Sequence, residues 1–226
     1  FLAKFTDTGP DPVAATDLQD ELFGSWPTGS MTDYYEEISY GSFSVTGNVF
    51  DWVTLMEDDD YYEGGTGCYG ICTSSRVDEL IIETLDANDP SIDFGTYDND
   101  GPDGDPNSGD DDGYVDFVAF VHAEAGAECG TSSIWSHRYV LSGWTGSFYA
   151  TDDAAAGGGS IRINDYFIMP VFACGGVDMI EIGVFCHEFG HALGLPDLYD
   201  TDGGSSGVGE WCLMGSGNWN EPDSPA

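Results

Sequence analysis

Two histidines and a glutamate in "VFCHEFGHALGLPDLYD", residues 184–200, carry the clearest chemical potential in this chain. The chain has only four histidines, and His187 and His191 stand four apart with Glu188 between them. On a helix this spacing puts both imidazoles on one face, one turn apart. The pattern His-Glu-x-x-His is the zinc-site signature of metalloproteases. Glu188 lies about 100° further round the helix than His187, so it flanks a metal without binding it and can reach a water there. Gly194 is placed to end the helix in a left-handed turn, and Pro196 prevents it from resuming. The chain must then swing back, which brings Asp197 towards the histidines. His187, His191 and Asp197, with a fourth position open, form the ligand set of a catalytic zinc ion. The bland alternative is a pair of core histidines. Two buried imidazoles and a buried glutamate would then cost roughly 2–7 kcal/mol for each group left unpaired, so the metal reading is preferred.

These residues need a buried helix and a sheet to hold them. Met179 to Leu193 is apolar nearly all round, and Asp178 followed by Glu181 has the spacing of a capping box. Upstream, "FLAKFTD" reads as a strand. "MTDYYEEISYG" reads as a short helix starting at Thr32 or Asp33 and stopped by Gly41. "SFSVTGNVFDWVTL" alternates like a strand or hairpin. "SSRVDELIIETLDAND" is a helix with Val77, Leu80, Ile81 and Leu85 on one face. "YVDFVAFVHA" and "IRINDYFIMPVFA" read as buried strands, and "GWTGSFYATDDAAAGGGS" between them as a long flexible loop. Helices and strands mix without strict alternation, so the class is α+β rather than doubly wound.

Charge narrows the partners. Four Lys plus Arg against 42 Asp plus Glu give a net charge of −38. Nucleic acid is excluded as a partner, because phosphate binding needs a cationic surface, and anionic membranes are disfavoured too. Calcium coordination and a solvated surface suited to salty water remain. No apolar run approaches the roughly 20 residues that span a bilayer. "FLAKFTDTGP" lacks the charged start and apolar run of a signal peptide, as expected of a protein already processed. Six cysteines, an even number, favour an oxidising, extracellular location over six free buried thiols.

The motifs "HEFGHALGLPDLYD" and "GEWCLMGSGNW" resemble the immune inhibitor A family of secreted zinc peptidases. "DYYEEISYGSFSVTGNVFDW", "YDNDG", "DDGYVDFVAFVHA" and "IWSHR" follow that family's order through most of the chain. The resemblance implies a catalytic domain like that of the metzincins: a twisted mixed sheet, backing and active-site helices, and a small lower lobe with a Met-containing turn. On this basis one domain spans 1–226, with an upper lobe to about residue 194 and the start of the lower lobe over 195–226. His187, His191 and Asp197 would be zinc ligands, Glu188 the general base and Met214 the turn methionine, for which simple core packing is the alternative. The family usually carries a pro-segment, expected to inhibit before processing. Protein or peptide substrates and a monomer are expected. His122, His137 and Tyr199 are candidates for stabilising the oxyanion, with a structural role as the alternative for each. Two rivals stand: a non-catalytic, calcium-dependent binding or adhesion module, against which the intact Glu188 argues, and a zinc hydrolase of another bond.

The acidic loop "DNDGPDGDPNSGDDDGYVD", residues 98–116, spaces Asp and Gly as a calcium loop does, against the alternative of a solvated loop. Comparison with the family pattern makes Asp98, Asp100, Asp112 and Asp116 the preferred ligands, with Asp103, Asp105 and Asp110 possible. The same pattern has a small residue before the first zinc histidine and Asp two residues before the turn methionine. Here both are cysteine, which suggests a Cys186–Cys212 bond, with Cys68 then paired to Cys72 and Cys129 left for Cys174; the alternative is that Cys186 is a small buried residue facing the core and Cys212 an unpaired neighbour.

A chain at −38 repels itself, and salt with a Debye length of about 10 Å at 0.1 M relieves this. The thermal midpoint is expected to rise with sodium chloride and more steeply with calcium chloride. Indifference to both would remove the surface argument and the calcium loop together.

Overall fold

A computed structural model describes residues 1–202 and 204–219. Its elements run β1 (Leu2–Lys4), α1 (Ala15–Phe23), α2 (Met31–Ile38), β2 (Trp52–Thr54), α3 (Asp59–Glu63) and α4 (Val77–Asn88). They continue with β3 (Ala119–Ala125), β4 (His137–Val140), α5 (Leu141–Thr145), β5 (Tyr149–Ala154), β6 (Ser160–Ile163), β7 (Asp165–Phe172) and α6 (Ile182–Ala192). The main sheet has the order β2-β1-β3-β7-β4. Its first four strands are parallel, and β4 closes the edge antiparallel to β7. A separate hairpin pairs β5 with β6. The class is mixed α+β.

Strands buried on both faces should read as continuous apolar runs, and β3 and β7 do. Alternate side chains feed two cores. Phe120 and Ile168 face one, with Leu80, Ile81 and Leu85 of α4. Val121, Phe167 and Met169 face the other, with Leu18 and Leu22 of α1 and Val184 and Phe185 of α6. The four apolar positions read on α4 are all buried.

Several sequence expectations are corrected. The Asp178–Glu181 capping box does not form. Ile180 N donates to Val171 O, Ala173 N donates to Asp178 O, and Met179 bridges to Phe172. Pairing with the end of β7 outcompetes the local cap, so α6 begins at Ile182. The expected single strand at 161–173 is two strands in different sheets, β6 and β7. The chain turns at Asn164, whose carbonyl and Oδ1 accept from Leu141 N and Ser142 N. The expected flexible loop at 143–160 holds the end of α5 and β5, with Thr151 and Ala155 buried beside Ile161 and Ile163. In the expected strand or hairpin at 42–55, only Trp52–Thr54 is a strand. The segment before it is pinned by side chains instead: Gln19 binds Gly47 O and Val49 N, and Thr32 donates to Val45 O. Helix α2 starts earlier than expected, capped by Ser30 in a capping box with Asp33. Helices α1 and α3 were not anticipated. Residues 220–226, the end of the expected lower lobe, lie outside the described residues.

The cysteines divide differently from the expected three bridges. Cys68 is bonded to Cys72, and Cys129 to Cys174. Cys186 and Cys212 are free thiols, so the proposed bond between them is absent. His187 Nδ1 holds the 212–214 segment through Leu213 O, at 2.8 Å. Cys186, the neighbouring position about 100° round the helix, turns into the core while Cys212 stays partly exposed.

Glu21 shares that core, at 1% exposure, with Oε2 unpartnered. Burial, then the charge of Glu181, pushes its carboxyl from 4.5 to about 9. The folded state therefore holds a proton that the unfolded chain releases above pH 4.5. Its stability contribution is full below that value and is lost as pH climbs towards 9. Glu21→Gln is expected to stabilise the fold by on the order of 2 kcal/mol at pH 8 and by almost nothing near pH 4.5. Thermal unfolding at the two pH values checks this; equal shifts at both would contradict it.

Candidate metal centre

Helix α6 packs its apolar sides on β7 and the second core, which fixes its rotation and leaves His187 and His191 facing a cleft of about 410 Å³. Beyond Ala192 the chain reverses. Gly194 takes φ +88°, Gly194 N donates to His191 O, and Leu195 N donates to Gly190 O. A left-handed residue is required there, which is why glycine fits. The reversal returns Asp197 to the histidines.

Each histidine ring is held by a main-chain carbonyl. His187 Nδ1 lies 2.8 Å from Leu213 O, and His191 Nδ1 lies 2.8 Å from Leu195 O. A carbonyl only accepts, so each Nδ1 carries hydrogen and each Nε2 of the neutral ring presents a lone pair. Burial holds His187 below its usual range, which favours that neutral form. Both Nε2 atoms point at Asp197 Oδ1, at 3.2 and 3.1 Å. That oxygen is buried and receives no hydrogen bond. With the rings neutral, two lone pairs and a carboxylate oxygen converge with no proton between them. A cation at the centre resolves the repulsion. Ligand atoms about 2.0–2.1 Å from a tetrahedral ion stand about 3.3 Å apart, close to the separations found. The three residues fit a metal ion.

The surroundings fix this set. Tyr199 donates its hydroxyl to Asp197 Oδ2 at 2.9 Å, which leaves Oδ1 for the centre. Met214 is buried under the helix, and a Cβ on Gly190 would lie 2.6 Å from its Sδ. Glycine at 190 is what lets the methionine approach. Leu198 N donates to Met214 O, so the same segment holds the returning chain. Glu188 lines the cleft at 5% exposure. Burial, then the charges of Glu128 and Asp197, pushes its carboxyl up to about 8 in the absence of a cation.

Of the other candidates, His137 and Tyr199 line the cleft. His122 does not: it is fully buried on β3, with both ring nitrogens unpartnered. Glu128, which accepts from Ser136 N and Oγ, is a cleft residue the sequence did not single out. One glutamate among 42 acids carries no signal of its own. A second cavity of about 450 Å³ is lined mainly by aliphatic and phenyl groups, so the convergent polar chemistry lies in the cleft.

In the acidic loop, ligand oxygens of Asp98, Asp100 and Asp116 lie within 4.8 Å of one another. Asp98 is 1% exposed with Oδ1 unpartnered, and burial, then neighbouring aspartates, pushes it up to about 6. Asp112 stands outside this trio, its Oδ1 taken by Tyr114 N. Asp103 and Asp110 gather around Ser108 instead, and Asp105 N bonds Asp103.

Residues 16–223 match the sequence pattern of the family described as "Immune inhibitor A peptidase M6, catalytic domain". The chain belongs to the immune inhibitor A peptidase M6 family. The matched span includes His187, Glu188, His191, Asp197 and Met214. The pre-pro-metalloprotease PrtV of Vibrio cholerae serotype O1 (strain M66-2) is 34% identical over 92% of this chain and 24% of its own length. Immune inhibitor A of Bacillus thuringiensis subsp. alesti is 32% identical over 84% of this chain and 28% of its own length. This M6 domain thus spans about a quarter of the length of those relatives.

Asp197→Ala should remove one ligand and at least tenfold of the affinity for one metal ion per chain. Elemental analysis after dialysis reads this directly. Undiminished metal in that variant would move the third ligand elsewhere.

Proposed function

We propose that this domain is a secreted, zinc-dependent endopeptidase. The observation that carries the reading is the convergence of His187 Nε2, His191 Nε2 and Asp197 Oδ1, beside a buried Glu188, in an open cleft. An all-nitrogen-and-oxygen tripod with an open side suits zinc. Zinc, when bound, supplies a Lewis acid that lowers the pKa of water and polarises a carbonyl. Glu188, buried in the cleft beside that centre, would take a proton from the attacking water and return it to the leaving amine. Asp197, held by Tyr199, supplies the anionic ligand, and Met214 gives an apolar floor. The peptidase named in the family description and the metalloprotease in one relative's printed name support the same chemistry.

Peptide substrates are favoured over other bonds by the edge strand. β4 ends the sheet, and its His137 and Arg138 line the cleft. An extended peptide can add to that free edge through main-chain hydrogen bonds. A binding module without catalysis would have no use for a buried carboxylate at position 188, which costs stability. We infer further that residues from 195 begin a lower lobe with Met214 at its turn, as in metzincins. A calcium ion at Asp98, Asp100 and Asp116 would answer the orphaned Oδ1 of Asp98. The two disulfides suit an extracellular protein, and the word pre-pro in one relative's name supports an inhibitory pro-segment.

Glu188→Gln should lower casein hydrolysis by a factor on the order of 10²–10⁴ while zinc stays bound. Activity near the parent level in the zinc-loaded variant would sink the assignment. So would parent activity that survives complete removal of zinc.

A further inference from the structure

The open cleft carries more acid than its metal chemistry uses. His187, His191 and Asp197 form the centre, and Glu188 is the base of the proposed reaction. Glu128 lines the same cleft and has no part in either. Of the charges that raise Glu188, that of Glu128 comes first, ahead of Asp197, so it stands close to the centre.

The fold builds a seat for this carboxylate. Glu128 lies in the short turn Ala127–Cys129, which the Cys129–Cys174 disulfide fastens. A Cβ on Gly126 would lie 2.4 Å from Glu128 Cδ, so glycine there lets the side chain fold back. Ser136 N donates to Glu128 Oε2 at 3.3 Å, and Ser136 Oγ donates to Oε1. Ser136 immediately precedes β4, so these bonds hold the carboxylate at the start of the edge strand. A carboxylate accepts about four hydrogen bonds, so Ser136 leaves it room for further donors.

No cation of the chain answers it. Of the four Lys and Arg, only Arg138 lines the cleft, and it is bound to Asp165. Lys4 pairs with Asp11 and Arg76 with Glu79, and Arg162 binds the carbonyls of Asp112 and Gly113. Burial pushes the Glu128 carboxyl up, and the bonds from Ser136 pull it down. A second acceptor lines the same cleft. Asn218 is 7% exposed, and its Oδ1 receives no hydrogen bond among the described residues. A buried acceptor without a donor costs stability, so both groups call for N–H donors from outside the chain.

We propose, resting on the peptidase reading above, that Glu128 sets the specificity of the cleft by seating a Lys or Arg side chain of the substrate, with Asn218 Oδ1 as a second acceptor. Charge favours a basic side chain over a neutral donor. With Asp197 and Glu188 set against a divalent ion, the charge of Glu128 is left over, and one cationic residue neutralises it. Lys and Arg side chains carry several donors and no acceptor, which matches a seat made of acceptors. A peptide added along β4 passes Ser136 and so brings a side chain to Glu128. Acidic residues at that position would meet Glu128 and Glu188 together and be rejected.

The overall charge of −38 attracts any basic peptide, wherever its charge lies. Peptides of one sequence, with Arg or citrulline placed in turn at each position around the scissile bond, separate a seat from that general attraction. Citrulline keeps the shape of arginine and loses its charge. In the zinc-loaded chain the ratio of kcat/KM, Arg over citrulline, should reach about tenfold at one position and stand well below that at the others. Glu128→Gln should bring that ratio down to the level of the other positions, and Glu128→Asp should keep most of it. Asn218→Leu should lower it about threefold. Each ratio is read within one variant, so a general loss of rate does not enter it. A parent ratio equal at all positions, or one that survives in Glu128→Gln, would overturn the seat. An unchanged ratio in Asn218→Leu would strike Asn218 from it. Ser136→Ala, which frees the carboxylate, covers the case in which Glu128→Gln does not fold: it should lower the same ratio, and no change there would overturn the seat. Calorimetric binding of the same peptides to Glu188→Gln reads the seat without cleavage. Tighter binding of the Arg peptide, in a chain whose parent cleaves neither, would overturn only the proposed function.

Discussion

The hydrogen bond between His187 Nδ1 and the Leu213 carbonyl joins two parts of the chain that sequence separates by 26 residues. It fixes the ring's tautomer, and so decides which nitrogen faces the cleft. It also holds the 212–214 segment against α6, which seats Met214 beneath Gly190 and supports Leu198 through the Met214 carbonyl. Asp197 is delivered by that same supported return. Without the bond the ring could rotate or swap tautomers, and the two imidazoles and the Asp197 carboxylate would lose their common focus.

A second constraint acts on the whole molecule. With four cationic side chains and 42 acids, almost no carboxylate can be paired within the chain. Most acids face water and need no partner. The buried ones, Glu21, Glu63, Asp98 and Glu188, do not have that option. Each holds a proton or faces a place where a cation fits. The scarcity of lysine and arginine thus turns burial of an acid into a signpost, which it would not be in a chain of ordinary charge.

The cluster of His187, His191 and Asp197 was legible because its logic is local. Spacing on one helix aligns His187 with His191, and a glycine followed by a proline forces the return that brings Asp197 back. Helix α4 was legible because its apolar residues repeat at helical spacing. Other features depend on contacts that no local pattern encodes. The alternation at 43–51 looked like a strand, yet Gln19 and Thr32 hold that segment by side-chain bonds. The apolar run at 161–173 hid a corner at Asn164, whose side chain is committed to α5. The direction of Cys186 into the core is a matter of helix rotation, so two matched cysteines in the sequence did not become a bridge. Glu124 and Glu128 carry no local signal, and only the fold sets them against Ser133 and Ser136.

Strand β1 carries a consequence for how the chain reaches this state. Its three residues lie between β2 and β3, with Leu2 opposite both Trp52 and Val121. The middle of the sheet is therefore completed by partners 50 and 119 positions away along the chain. Closing such loops costs chain entropy before any packing is recovered, and parallel pairings of this kind belong to slow-folding topologies. The beginning of the chain has to wait for residues near 120 before its strand is enclosed. Until then β3 has an open edge and an exposed apolar face, the form in which a nascent β-rich domain is most prone to aggregate.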